Sequence, residues 1–257
     1  MNRLPPGWRL ELFDTIDSTN AEASRRARDN EGAGLVVVSS SQTAGRGRSG
    51  RSWSTAGSDL AMSMLLRPGM PPAEAAKVAF VAALAVYDFA SRFLPVAEQL
   101  AIKWPNDVMI GSSKLSGILA EASGSHSGTV EWLVVGIGVN LRPAERPEAT
   151  NPIDLFTVSG IELAVEDAAR GLLQEFDNWY RLWLSQGFAP IRDAWRARTR
   201  DLGRLVMARL PNETIVGEAR DLAEDGALIL TLRGGGERRI SAGDIFPFEP
   251  EQKLSCC

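Results

Sequence analysis

Apolar and polar positions alternate over residues 8–13, the period-two pattern of a strand. Residues 21–28 follow, rich in helix formers, behind Ser18-Thr19-Asn20, where Ser18 or Thr19 can cap the first turn. Residues 35–40 are a β-branched run that reads as a buried strand, and strand character returns over 60–66. Between them, residues 41–59 are dominated by Gly, Arg and Ser and predict no regular structure. Pro68, Pro71 and Pro72 stop the second strand and open a helix over 73–94. Its charge-free centre spans residues 78–87, well short of the roughly 20 apolar residues needed to cross a bilayer. It reads as a buried core helix.

Residues 100–103 form a short strand ended by the turn signal Trp104-Pro105-Asn106-Asp107. Strands over 115–122 and 130–139 are joined by a soft link, 123–128. A loop with Pro143, Pro147 and Pro152 leads to helices over 163–184 and 191–200. After Gly203 the period shortens. Strands over 205–210, 214–221, 227–232 and 238–241 are separated by Pro211-Asn212, Glu224-Asp225-Gly226 and Gly234-Gly235-Gly236, the pattern of a small β-barrel. The boundary falls near Asp201. Residues 1–201 read as one main α+β domain, with antiparallel-type strands clustered among helices, and 202–257 as a small all-β domain with a frayed tail.

Composition narrows the function classes without choosing one. Hydrophobic residues make up 44% and charged residues 23%, an ordinary globular balance. A formal charge of −4 gives no general attraction to nucleic acid. Cys256 and Cys257, the only cysteines, match neither a disulfide framework nor metal-ligand spacing, so a reducing cytoplasm is the expected location. Residues 1–12 lack the apolar core of a signal peptide.

Four segments carry chemistry. Gly45-Arg46-Gly47-Arg48-Ser49-Gly50-Arg51-Ser52-Trp53 combines glycines that let backbone N–H groups approach an anion with arginines suited to phosphate or carboxylate. Trp53 adds a flat surface for a purine or an apolar ligand. The segment is neither a Walker A loop nor a dinucleotide fingerprint. By composition it fits a solvated linker or a nonspecific RNA-binding loop equally well, but its place between two buried strands argues against a linker. Lys103-Trp104-Pro105-Asn106-Asp107 sets a lysine beside an amide and a carboxylate, a phosphate contact next to a candidate Mg²⁺ ligand. Lys114-Leu115-Ser116-Gly117-Ile118-Leu119-Ala120-Glu121 starts an apolar strand on a lysine, and Gly117 leaves room against the backbone. Gly136-Ile137-Gly138-Val139-Asn140-Leu141 ends a strand on an amide able to read a base edge.

In this order, with Ser18-Thr19-Asn20 and Gln42 ahead of them, these segments resemble the signature of the biotin–protein ligase family. The resemblance spans residues 13–141 and resumes more weakly over 217–230. It implies a mixed β-sheet with packed helices followed by a small SH3-like barrel. It implies ATP and biotin as substrates with Mg²⁺, and a biotin carboxyl carrier protein or domain as partner. Ser18, Thr19, Asn20 and Gln42 would line the biotin head-group pocket, whose ureido ring suits hydroxyl and amide partners. Gly45, Arg46, Gly47 and Arg48 would close over biotin and the α-phosphate, in a loop with little structure of its own before ligand binds. Lys114, with Gly117 beside it, would bind the biotin carboxylate and then the acyl-phosphate oxygens; Lys114 and Arg48 are the catalytic candidates. Arg51 and Lys103 would contact ATP phosphates together with Arg46 and Arg48, Trp53 and Asn140 would sit beside the adenosine, Asn106 would assist the phosphates, and Asp107 would hold the metal.

Ser116 stands where many members carry alanine, a small change with no expected loss of function. The first motif begins at Ser18, leaving no room ahead of it for the DNA-binding domain of some members; neither DNA nor membrane is an expected partner, and a homodimer is compatible. His126, the lone histidine, lies in the soft link, so positioning rather than histidine proton transfer is expected to drive the chemistry. A lipoate or octanoate ligase is the nearest competing enzyme, but its Arg-Arg-x-Ser-Gly-Gly-Gly pattern is absent. An RNA-binding module would instead show salt-sensitive RNA retention and no biotin-dependent use of ATP.

Overall fold

The computed structural model describes residues 3–94, 99–124, 128–145 and 151–248; His126, Cys256 and Cys257 lie outside them. The first part of the chain runs β1 (Arg9–Ile16), α1 (Thr19–Arg28), β2 (Leu35–Gln42), β3 (Ala56–Leu66), α2 (Pro72–Ala75), α3 (Val78–Ser91), β4 (Leu100–Lys103), β5 (Asp107–Ile110), β6 (Ser113–Gly124) and β7 (Val130–Val139). Helices α4 (Leu155–Ser159), α5 (Val165–Gln186) and α6 (Phe188–Arg198) follow. The last part holds β8 (Leu205–Arg209), β9 (Thr214–Leu222), β10 (Leu228–Leu232), β11 (Glu237–Ile240) and β12 (Asp244–Pro247).

The larger sheet has the order β1-β2-β3-β7-β6-β5-β4. β1 pairs with β2 in parallel, which makes the sheet mixed, as the resemblance implies. The reason is α1, which carries the chain back so that β2 starts at the same end as β1. The remaining neighbours are antiparallel. β5 was hidden within a turn signal, and the expected irregular stretch is shorter than read, since β2 reaches Gln42 and β3 begins at Ala56.

Period-two alternation gives the sheet two different faces. Val36, Val38, Leu60, Met62, Met64, Val135 and Ile137 pack against α3 and α5 in the main core. Helix α3 is buried nearly all round, which explains its unbroken apolar run. On the opposite face Leu35, Val37, Leu65, Trp132 and Val134 meet Ala23 and Ala27 of α1. Fully burying each such aliphatic chain contributes about 1.5–3 kcal/mol. Among the described residues no helix is long and apolar enough to cross a membrane.

The small sheet is antiparallel throughout, in the order β11-β10-β9-β8-β12. It docks on the main domain through a continuous apolar core: Phe80, Trp104 and Trp195 share one cluster with Ala219, Leu222 and Leu228. Trp104 Nε1 donates to Gly226 O at 3.1 Å, and Arg192 reaches Asp221 at 3.0 Å.

Candidate active site

The face that carries α1 changes character beyond the end of that helix. Across β3, β7 and β6 the inward positions are Ala61, Gly138 and Gly117 in one row and Ser63, Gly136 and Leu119 in the next. Small residues on three adjacent strands leave a depression with backbone as its floor. The glycines are required. A Cβ at Gly136 would stand 2.0 Å from Asn20 Oδ1, and one at Gly138 would stand 2.2 Å from the Trp53 indole.

The N-terminus of α1 closes one end. Ser18 caps the helix, its hydroxyl accepting from Ala21 N at 3.4 Å. Asp17 takes Ser18 N at 2.7 Å, and hydrogen bonds from the Arg25 guanidinium pull its carboxyl down to about 2. Thr19 N donates to Gln42 Oε1 at 2.8 Å. Ser63 Oγ lies 2.7 Å from Thr19 Oγ1 and 2.6 Å from Asn20 Oδ1, while Asn20 Nδ2 donates to Glu121 Oε2 at 2.7 Å. This end is uncharged at the wall and buried.

The Gly/Arg segment forms a folded finger over the other end. Gly47 N donates to Arg51 O at 2.6 Å, Trp53 N donates to Gly45 O at 3.0 Å, and Arg46 bridges Ser52. Ser49 and Gly50 take positive φ at its tip. The finger therefore has hydrogen bonds of its own, more structure than its composition predicts. Its arginines diverge. Arg46 reaches Glu121 at 2.9 Å, Arg48 donates to Asn106 Oδ1 at 2.8 Å, and Arg51 pairs with Asp244 of β12 at 3.0 Å. Burial pushes the Arg48 guanidinium below its ordinary value, against the opposing pull of Asp244 and Asp107.

Lys114 stands between the two ends. Its Nζ is 2.7 Å from Asp107 Oδ1 and 5.6 Å from the centre of the Trp53 ring. The Trp53 indole lies against Gly117 and Gly138, and its Nε1 is buried with no hydrogen-bond partner. An unpartnered buried donor costs about 1–3 kcal/mol.

Ser18, Thr19, Asn20, Gln42, Arg46, Gly47, Arg48, Arg51, Trp53, Asn106, Asp107, Lys114 and Gly117 thus line one cavity. Three residues expected at the ligand stand behind the wall. Gly45 serves the finger, where a Cβ would stand 2.3 Å from Trp53 O. Lys103 lies over the Phe246 ring at 5.2 Å. Asn140, 3% exposed, donates to Lys114 O at 3.1 Å and Ile153 O at 2.9 Å, so its amide N–H groups are used in fixing the backbone of the lysine. Sequence reasoning missed Ser63 and Asp244 and gave Glu121 no role. Ser63 had one signal, a polar residue among apolar ones in a buried strand; Asp244 had none.

No group of three or more His, Cys, Asp or Glu that could hold a metal occurs among the described residues. Asp107 supplies one carboxylate to the cavity, which suits a cation that takes most of its ligands from water and substrate phosphates.

Comparison with known proteins agrees with this geometry. The model of the biotin/lipoate A/B protein ligase family matches residues 12–140, and that of the biotin protein ligase C terminal domain matches residues 201–246. The chain is 41% identical to a biotin–[acetyl-CoA-carboxylase] ligase of Paracoccus denitrificans, over 91% of this chain and 99% of that one. It is 34% identical to a ligase of the same description from Mycobacterium tuberculosis, over 93% and 89% of the two chains. The structure of a biotin protein ligase from Aquifex aeolicus in complex with biotin and ATP superposes with a TM-score of 0.78 at 26% identity, covering 93% of this chain and 97% of that one. Its mixed sheet, its SH3-like C-terminal part and these matches over both together establish that the chain belongs to the biotin–protein ligases of the biotin/lipoate A/B protein ligase family.

Proposed function

We propose that the chain uses ATP to convert biotin into biotinoyl-5′-AMP, releasing pyrophosphate, and then transfers the biotinoyl group to a lysine of a biotin carboxyl carrier protein or domain, releasing AMP. One observation carries the reading: a single cavity joins a neutral hydrogen-bonding wall to a cluster of cations across a glycine floor. A ureido head group suits the first, and a carboxylate meeting a triphosphate suits the second.

In the first step a biotin carboxylate oxygen attacks the α-phosphorus and the bond to pyrophosphate breaks. Negative charge gathers on oxygens beside Lys114, Arg46 and Arg48, and these cations stabilise it in a site partly shielded from water. Lys114 exchanges Asp107 for the acyl-phosphate oxygens. Asn140, through the Lys114 carbonyl, holds that lysine's backbone in place. Mg²⁺ entering with ATP would be held by Asp107 and phosphate oxygens, and neutralises phosphate charge when bound. In the second step the carrier ε-amine attacks the acyl carbon. A C–N bond forms, the C–O bond to AMP breaks, and the amine proton passes to Asp107 or to a group of the carrier. Residues 1–201 are read as the catalytic domain and 202–257 as the small barrel. Asp244 brings the barrel into contact with the finger. Cysteine usage favours a cytoplasmic setting.

The test supplies the protein with ATP, Mg²⁺, biotin and an isolated carrier domain. The expected result is a carrier heavier by one biotinoyl group, lost when its acceptor lysine is changed to arginine. An unmodified carrier under these conditions would contradict the transfer step.

A further inference from the structure

Glu121 lies behind the head-group wall, yet one of its oxygens holds two parts of the site. Its Oε2 accepts from Asn20 Nδ2 at 2.7 Å and from Arg46 Nη2 at 2.9 Å. We propose that Glu121 is a positioning residue for biotin specificity: through Asn20 and Ser63 it sets which wall groups donate and which accept, and through Arg46 it ties the finger to that wall.

The proton order follows from donor and acceptor chemistry. A carboxylate only accepts, so the Asn20 NH₂ faces Glu121 and the amide oxygen faces Ser63. That oxygen only accepts, so the single Ser63 hydroxyl proton goes to it across 2.6 Å. The Thr19 hydroxyl proton then goes to Ser63 Oγ across 2.7 Å or to Gln42 Oε1 across 3.2 Å, and in either case points away from the cavity. Gln42 Oε1 already takes Thr19 N–H at 2.8 Å, which turns the Gln42 NH₂ away from Thr19. Thr19 therefore offers lone pairs to the cavity, and Gln42 offers N–H groups. An adjacent N–H and C=O, as in a cyclic urea, matches both. A dithiolane or an alkyl chain matches neither.

With Asn20 turned round, Ser63 would donate to Thr19, and the Thr19 proton would be left to Gln42 or to the cavity. Thr19, Asn20 and Ser63 are 3%, 4% and 0% exposed, so water cannot repair the mismatch. Glu121, with the longer Leu119 carbonyl contact at 3.4 Å beside it, selects the first arrangement. The side chain needs no contact with biotin to do so.

This inference rests on the function proposed above, and the experiment separates the two. Biotin-dependent ATP–pyrophosphate exchange is measured for the full chain and for Glu121→Gln and Ser63→Ala, varying biotin, ATP and a biotin methylated on a ureido nitrogen. Glu121→Gln keeps the shape but lets an amide donor face Asn20. Ser63→Ala breaks the relay and leaves the Glu121–Arg46 pair intact. In both variants the KM for biotin is expected to rise about tenfold or more, the scale of one lost oriented hydrogen bond. In Ser63→Ala, which keeps the Arg46 pair, the KM for ATP and kcat at saturating biotin should stay within about twofold, and in both variants the preference for biotin over its N-methyl analogue should shrink. A biotin KM within about twofold of wild type in either variant overturns the relay. So does a parallel rise in the KM for ATP in Ser63→Ala, which would mark a merely structural role. Absence of biotin-dependent exchange in the wild type removes the functional reading first, and this proposal with it.

Discussion

The two ends of the cavity solve opposite problems. At the head-group end, Thr19, Asn20, Ser63 and Gln42 hydrogen-bond to one another and are held by α1, β2 and β3. At the phosphate end, Arg48, Arg51 and Lys114 are paired with Asn106, Asp244 and Asp107, partners that a ligand must replace. The first arrangement is preorganised, so little ordering remains when a ligand enters. The second exchanges internal acceptors for phosphate oxygens, so it responds to salt and to the step of the reaction. In the proposed reading, recognition sits in the sheet and helix α1, and charge handling is shared between Lys114 of β6 and the finger.

Breaking the charged end at its centre should have the largest effect. Lys114→Ala is expected to slow adenylation by about 10²–10³-fold while circular dichroism stays unchanged, because the cation at the developing charge is lost. A wild-type rate would remove Lys114 from the mechanism. At the neutral end, Gly136→Ala places a Cβ 2.0 Å from Asn20 Oδ1. Overpacking there should cost about 1–3 kcal/mol in denaturant melts. It should also raise the biotin KM well above any change for ATP; equal changes would mean that the ends are not separable. Arg48→Ala should let biotinoyl-AMP escape, with free adenylate up by roughly tenfold in the scale of a lost charge-assisted bond. No increase in free adenylate would show that the finger does not retain it. Asp244→Asn should be the mildest: an ion pair this exposed contributes at most about 1 kcal/mol. Thermal melts should barely move, and complete loss of exchange would show that the barrel contact is needed for catalysis.

The neutral end was legible in the sequence only in part. Ser18, Thr19 and Asn20 stand at a helix cap that local rules predict, whereas Gln42 fell in the expected irregular stretch, and the place of all four at the ligand came from the family resemblance. The strands with long apolar runs were legible from their local pattern. What escaped depends on contacts between distant segments. Asp244 meets Arg51 across 193 positions of chain, and nothing local to either residue records it. Ser63 looks like a strand residue until Asn20 is brought beside it. β5 is four residues long and starts inside a turn motif, too short for periodicity to detect. Asn140 was read as facing a ligand because its motif ends a strand, but its donors go to the carbonyls of Lys114 and Ile153. The sequence shows that an amide is there, and only the fold shows that two backbone acceptors reach it first.

The most direct measurement is ATP–pyrophosphate exchange by the full chain with Mg²⁺, supplied separately with biotin, lipoate and octanoate. Exchange with biotin alone is expected, because a ureido head group supplies the donor and the acceptor that the proposed Thr19 and Gln42 pattern calls for. Exchange driven by lipoate or octanoate, or none with any of the three from folded protein, would contradict it.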